Sequence, residues 1–203
     1  GSPMAHPKLL LCLSALALSC SGSDPASAGR QPRVVCTTAM IGDLAREVAG
    51  DTASVTTLFG PDMDPHLFRP TRDDVKVLMG ADLVLYNGLH LEGYLTEALE
   101  RVGASGVEVV AVAEQVLLED ELISDGVAPD PHVWMDPSIW SRVPALIAGE
   151  LTERRPDDAA ALSARATTMT ARLTRADQRF EASFAELPRA HRVLLTAHDA
   201  FQY

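Results

Sequence analysis

Basic side chains and cysteines are scarce in this chain of 203 residues. Lys8 and Lys76 are its only lysines, and the formal net charge is −11. Nucleic acids and anionic lipid surfaces bind proteins through basic patches, so this charge argues against both as partners. Three cysteines are present, and only Cys36 falls in the predicted folded part, so the sequence predicts neither a disulfide framework nor a cysteine-type zinc site.

Long apolar runs are also lacking, and the one near the start predicts export rather than a membrane span. Leu9 to Leu18 is an apolar stretch of about ten residues, whereas a bilayer needs roughly 20. We therefore interpret residues 1–19 as a tag scar, Gly1–Pro3, followed by a signal peptide. Residues 17–20, Ala-Leu-Ser-Cys, resemble a bacterial lipobox, which predicts a lipid on Cys20. The alternative is an ordinary cleaved signal with its site at Ala26–Ala28.

After a tether at 20–32, rich in serine, glycine, alanine and proline, strand and helix patterns alternate. Such alternation predicts an α/β fold with a parallel sheet covered by helices on both faces. The predicted strands are 33–38, 53–59, 81–86 and 107–112, and the helices between them are 41–49, 71–79 and 91–102. Thr71, followed by two aspartates, is the predicted cap of the helix through Met79, and Asn87-Gly88 predicts a turn. An acidic loop at 117–129 follows, and then a helix through Arg154 with Ser138 as its predicted cap.

The last third of the chain predicts one long helix and a new strand. Pro156 starts the helix, and an apolar stripe at helical spacing extends to 187. The stripe indicates either a core-facing helix or a rigid strut between two lobes. Pro188 ends the helix, and 192–196 has the composition of a strand.

Three histidines occur in similar short acidic contexts, each where an apolar run gives way to a loop. They are His66 in Asp-Pro-His, His132 in a second Asp-Pro-His, and His198 in Ala-His-Asp. Neutral imidazole is a good ligand for zinc and its first-row neighbours. Residues from three distant loops can meet only in a folded cleft, so we interpret the three as one metal site.

Acidic neighbours of these histidines are candidates for the second shell of that site. They can orient imidazoles by accepting a ring N–H, or they can simply be loop and cap residues. These residues are Asp64, Asp130, Asp136 and Asp199. Two other histidines, His90 and His191, lack the acidic context, and we expect structural or surface roles for them. The chain has no H-E-x-x-H, no G-x-S-x-G and no P-loop, so no motif supplies a catalytic residue.

Four stretches together resemble the metal-binding lipoproteins of bacterial zinc/manganese ABC importers, the cluster A-I (cluster 9) solute-binding family. They begin at Asp64, Ala81, Asp130 and Thr196, and they read DPH, ADLVLYNGLHLE, DPHVWMD and TAHDAF. The resemblance extends over 34–203 in the order found in the family.

The resemblance implies two α/β lobes joined by a long helix, with the metal bound between them. It assigns 33–155 to the N-terminal lobe, 156–187 to the interlobe helix and 188–203 to the start of a truncated C-terminal lobe. It also implies that His66 and its two counterparts are three of four ligands, the fourth being a carboxylate beyond Tyr203.

The function expected from this resemblance is capture of Zn(II), with Mn(II) as the alternative, and delivery to an ABC permease. Zinc-specialised relatives often carry histidines in the loop that is acidic here, whereas three imidazoles favour zinc by softness. The protein would be exported, as a cell-envelope lipoprotein held only by the lipid on Cys20 or as a periplasmic protein, and it would not be an enzyme. Two alternatives stay open: a zinc hydrolase or lyase with an open coordination position, and a surface adhesin.

Overall fold

A four-stranded parallel sheet lies at the centre of the computed structural model, which describes residues 30–60, 63–124, 126–196, 198 and 200–203. The strands are β1 (Arg33–Cys36), β2 (Ser54–Thr57), β3 (Leu83–Tyr86) and β4 (Glu108–Ala111). Their order in the sheet is β2-β1-β3-β4, and every pair is parallel. The predicted parallel sheet is confirmed.

Successive residues of the strands enter two separate hydrophobic clusters, one on each face of the sheet. Val34 and Cys36 of β1 belong to one cluster, and Val35 between them belongs to the other. Leu83 and Val84 of β3 divide in the same way. Both faces are therefore buried, which explains why these strands are almost continuously apolar.

Helices cover both faces of the sheet. Residues of α2 and α3 pack in the smaller cluster, and residues of the other helices pack in the larger one. The helices are α1 (Ala39–Ala49), α2 (Arg72–Met79), α3 (Thr96–Ala104), α4 (Val112–Val116), α5 (Pro137–Trp140), α6 (Val143–Arg154) and α7 (Ala159–Glu186). The short α4 was not predicted, because its five residues follow β4 without a break.

Local sequence explains where two of these helices begin. Thr71 caps α2, as predicted: its side chain accepts the N–H of Asp74, and the Asp74 carboxylate accepts the N–H of Thr71. The helix predicted from Ser138 to Arg154 is instead divided into α5 and α6. Pro144 explains the division, because it has no N–H to offer the carbonyl of Trp140 and its ring would collide with that carbonyl.

The long helix α7 is anchored mainly along its first half. Leu162, Ala166 and Met169 are buried against the larger cluster. Arg165 donates from Nε to the carbonyl of Val48 at 2.6 Å and from its guanidinium to the next carbonyl at 2.9 Å, at the end of α1. Every residue from Gln178 to Thr196 is exposed.

The prediction of a strand at 192–196 is wrong. These five residues are not in a strand, and none of the described strands pairs with them. A strand is stable only with a neighbour that accepts and donates its backbone hydrogen bonds, and sequence composition alone does not provide one.

None of the helices in the described part of the chain has both the length and the apolar character to span a bilayer.

Candidate metal centre

The three predicted histidines converge at one site, although they come from three distant loops. His66 lies in a turn between β2 and α2, His132 precedes the 3-10 helix Val133–Met135, and His198 follows the 3-10 helix Arg189–His191. One ligating atom from each lies within 4.8 Å of the other two. His132 is buried, His66 is half-buried and His198 is exposed.

The distances between the imidazoles suit a single bound ion. Nε2 of His132 lies 3.2 Å from Nε2 of His66 and 3.2 Å from Nε2 of His198. Zinc–nitrogen bonds of roughly 2.0–2.1 Å at tetrahedral angles put two ligand nitrogens about 3.3 Å apart. The site can therefore take one small first-row cation with little movement of the rings.

Asp130 fixes the orientation of the His132 ring. Its Oδ1 atom lies 2.6 Å from Nδ1 of His132 and also accepts the backbone N–H of His132 at 3.0 Å. A carboxylate on Nδ1 holds the proton there, so the lone pair of Nε2 faces the other two histidines. That is the tautomer that a metal ligand needs.

His66 is held in its neutral form by its surroundings. Burial and then the neighbouring His132 ring lower the pKa of His66 from its usual value near 6.5, and the Asp64 carboxylate opposes them weakly. A neutral imidazole keeps the lone pair that ligates a metal, whereas an imidazolium has none. The half-buried cleft therefore favours the binding-competent form.

The other acidic residues predicted beside the histidines do not contact an imidazole ring through their described hydrogen bonds. Asp64 accepts the backbone N–H of His66 at 2.9 Å, which shapes the turn. Asp136 caps α5 by accepting the N–H groups of Ser138 and Ile139, which is the second of the two roles expected for these acidic neighbours. Asp199 lies outside the described residues, as does Cys20.

The two histidines set aside in the sequence do not join the cluster. His90 is exposed in the loop after β3, and His191 is exposed in the 3-10 helix after α7. Neither belongs to the group of ligating atoms that the described residues bring together.

Sequence reasoning missed a buried carboxylate beside the site, that of Glu92, which is 3% exposed. It accepts the Thr37 hydroxyl at 2.7 Å, the Asn87 backbone N–H at 2.7 Å and the Gly88 N–H at 3.1 Å. Burial raises the pKa of Glu92, and these hydrogen bonds oppose that effect. The signal in the sequence was a glutamate in a leucine-rich segment, with leucine at 89, 91 and 95.

Glu92 joins the carboxyl ends of the two central strands, since Thr37 follows β1 and Asn87 follows β3. β2 and β3 lie on opposite sides of β1, so the connections diverge here and leave a crevice. Ligands of open α/β sheets bind at such a switch point. Asn87 extends the network, because its Nδ2 donates to the carbonyl of Pro131 at 2.9 Å, next to His132.

The loop that follows β3 has an unusual backbone. Gly88, Leu89 and His90 have φ values of 84°, 51° and 64° in succession. Residues with a side chain rarely adopt this left-handed region, at a cost of roughly 1–2 kcal/mol each. The Glu114 carboxylate accepts the Leu89 N–H at 3.1 Å and supports this loop together with Glu92.

Tyr203 also contacts the loop that carries His132. Its hydroxyl donates to the carbonyl of Asp130 at 3.1 Å and accepts the N–H of Ile123 at 3.4 Å. Ala200 is buried. Residues on the far side of His198 therefore pack beside the same loop.

Three imidazoles gathered by the loops of a parallel α/β sheet indicate a metal-binding α/β protein, and comparison with known proteins identifies its family. The family described as the zinc-uptake complex component A, periplasmic (ZnuA), matches residues 34–203. The chain belongs to this family, and the resemblance drawn from its motifs is confirmed.

Relatives with different metals in their names are similar to this chain. The manganese-binding lipoprotein MntA of Bacillus subtilis is 38% identical over 92% of the chain and 62% of its own length. The zinc-binding protein TroA of Treponema pallidum is 35% identical over 98% of the chain and 66% of its own length. The chain thus spans slightly less than two thirds of these relatives.

Solved structures agree with the fold. The periplasmic zinc-binding protein TroA from Treponema pallidum superposes with a TM-score of 0.81 at 36% identity, covering 85% of this chain and 62% of that one. Fe(III)-bound YtgA from Chlamydia trachomatis gives 0.77 at 26% identity, covering 85% and 60%. The chain therefore has the fold of one lobe of such proteins. The names of the relatives do not single out one metal.

Proposed function

We propose that this protein captures a divalent transition-metal ion outside the cytoplasm and delivers it to an ABC permease. His66, His132 and His198 are the proposed ligands, and Asp130 orients the second of them. The observation that carries the proposal is the approach of three imidazoles from separate loops to within 4.8 Å. Packing and electrostatics alone do not explain why three imidazoles meet in one cleft, whereas a shared metal ion does.

Zinc is the proposed cargo, and manganese is the alternative. Imidazole ligands suit zinc, and a given nitrogen site binds Zn(II) more tightly than Mn(II). The names of similar proteins include zinc, manganese and iron, so they support a transition metal without selecting one. In a complete two-lobed protein, a carboxylate from the second lobe would complete the coordination.

Export and membrane attachment belong to the same proposal. Similar proteins are named as lipoproteins or as periplasmic, which supports a protein outside the cytoplasm. A lipid on Cys20 would hold it at the membrane near the permease. Substitution of Cys20 by serine should abolish labelling with a radioactive fatty acid in cells, whereas labelling that persists would contradict this assignment.

Family membership favours a binding protein over the hydrolase, lyase and adhesin alternatives. A screen of zinc-loaded protein against esters and carbon dioxide tests for an enzyme. Binding to a host ligand after removal of metal tests for an adhesin. We expect neither activity.

Competition with a chromophoric chelator tests the metal site directly. Metal-free protein should bind one zinc ion, and alanine at any of the three proposed ligands should weaken binding by more than the roughly 10–100-fold typical of losing an outer-sphere partner. His90→Ala and His191→Ala are matched controls and should bind as the wild type does. Equal losses at His90 and His66 would show that the wrong histidines were chosen.

A further inference from the structure

Glu92 is buried at the switch point of the sheet but belongs neither to the ligand set nor to the hydrophobic core. Its carboxylate accepts three hydrogen bonds from two strand ends. Burying a carboxylate is costly, and here three hydrogen bonds offset that cost. The same bonds fix the backbone at the end of β3, at Asn87 and Gly88.

The hydrogen bonds lead from Glu92 toward the proposed metal site in two steps. Glu92 Oε1 accepts the backbone N–H of Asn87 and fixes that residue at the end of β3. Asn87 then donates from Nδ2 to the carbonyl of Pro131 at 2.9 Å, which joins directly to His132. Because Asn87 is fully buried, its amide has no access to bulk water as an alternative partner.

We infer that Glu92 is a positioning residue for the metal site, acting through Asn87 on the backbone of Pro131 and so on the His132 ring. This inference rests on the proposed function. Asp130 already holds His132 at its ring Nδ1 and at its backbone N–H. The hydrogen bond from Asn87 to the carbonyl of Pro131 fixes the same backbone at a third point. A ligand held at ring and backbone keeps its lone pair aimed at the ion before the ion arrives.

The matched control is a carboxylate in α4 that contacts the same loop. Glu114 also accepts a backbone N–H, that of Leu89 at 3.1 Å, but Leu89 makes no hydrogen bond to Pro131 among those the structure describes. Glu114→Gln therefore loosens the left-handed loop without acting on the path to His132. Glu92→Gln keeps the size of the side chain but places an amide N–H₂ against groups that donate, so at least one of the three hydrogen bonds is lost.

The experiment measures zinc affinity by chelator competition and the visible spectrum of the Co(II)-loaded protein. Glu92→Gln and Asn87→Ala should each weaken zinc binding about tenfold, within the range for outer-sphere partners. Both should change the Co(II) bands, which report ligand geometry rather than fold stability. The double variant should be no weaker than the worse single one, because the two act in series. Glu114→Gln should match the wild type in both measurements.

Several results would overturn the inference. One is wild-type affinity in Glu92→Gln or Asn87→Ala, and another is strictly additive losses in the double variant. An equal loss in Glu114→Gln would assign the effect to general loosening of the loop. If Glu92→Gln does not fold, as judged by circular dichroism, Asn87→Ala carries the test and wild-type affinity in it refutes the path.

Failure of the proposed function would look different. In that case the wild-type protein would bind no zinc, and His132→Ala would change nothing. Zinc binding that is lost in His132→Ala but unaltered in Glu92→Gln would refute only the positioning role.

Discussion

Replacing Asp130 with asparagine tests how much a single carboxylate contributes to metal capture. The Asp130 side chain is 7% exposed, and its Oδ1 atom contacts both Nδ1 and the backbone N–H of His132. Asparagine keeps the shape and one acceptor oxygen but removes the charge. It also places an N–H₂ group where Oδ2 stands without a hydrogen-bond partner in the described part of the chain.

The expected loss follows from the strength of the hydrogen bond. A charge-assisted hydrogen bond is roughly twice as strong as a neutral one, and the 2.6 Å contact is short enough to be of that kind. Removing such a partner from a ligating histidine typically weakens metal binding about 10–100-fold. In free energy this is about 1.4–2.8 kcal/mol.

The assay is chelator competition for zinc at neutral pH, with thermal unfolding of the metal-free protein to verify the fold. Asp136→Asn is the matched control, since Asp136 caps α5 and contacts no histidine through its described hydrogen bonds. Asparagine caps helices about as well as aspartate, so Asp136→Asn should leave both the fold and the zinc affinity close to those of the wild type. Unchanged affinity in Asp130→Asn, or an equal loss in Asp136→Asn, would refute the reasoning.

The remaining predictions concern pH, the core and the exposed helix. Zinc affinity should fall as the solution is acidified, because an imidazole must be neutral to ligate; dialysis across a pH series would show a flat response if the histidines were not ligands. The metal-free protein should also lose stability as the pH falls below the pKa that His66 has in the unfolded chain. The pKa of His66 is lowered in the folded protein, so the unfolded state binds more protons at that pH. In His66→Ala the midpoint of urea unfolding should therefore vary less with pH. Leu162→Ala should cost about 2–5 kcal/mol in urea unfolding, because Leu162 is fully buried where α7 meets the core; a loss below 1 kcal/mol would contradict that packing. Phe180 and Phe184 are 56% and 57% exposed, so changing both to serine should reduce self-association in analytical ultracentrifugation at nearly constant thermal stability; association equal to that of the wild type would rule out this face as its cause.

Strand and helix patterns predicted most of the first lobe, because its elements are built from local periodicity. The cap at Thr71 was predicted from three neighbouring residues, and the structure confirms it. Local patterns were less reliable where two signals compete. Ser138 was the predicted cap, but Asp136 caps α5, since an aspartate two residues earlier offers a charged acceptor and Pro137 suits the first turn.

The histidine cluster was predictable because three separate sequence contexts resemble one another. The network around Glu92 was not, because its hydrogen bonds join residues up to 55 positions apart and no local pattern marks them. Asn87 and Gly88 indicated only a turn. The strand predicted at 192–196 depended on composition, whereas strand formation depends on a partner that composition does not reveal.

The uneven anchoring of α7 has a consequence for the motions of the protein. Amide protons near Leu162 should exchange with solvent slowly, because opening there disrupts the core, whereas those beyond Gln178 can exchange through local fraying. His198 follows this weakly protected stretch, while His66 and His132 lie in loops of the well-packed sheet. Two of the three imidazoles are thus preorganised by the same core. The third is held from its far side, by the buried Ala200 and by the hydrogen bond of Tyr203 to the His132 loop, so those contacts rather than α7 complete the cleft.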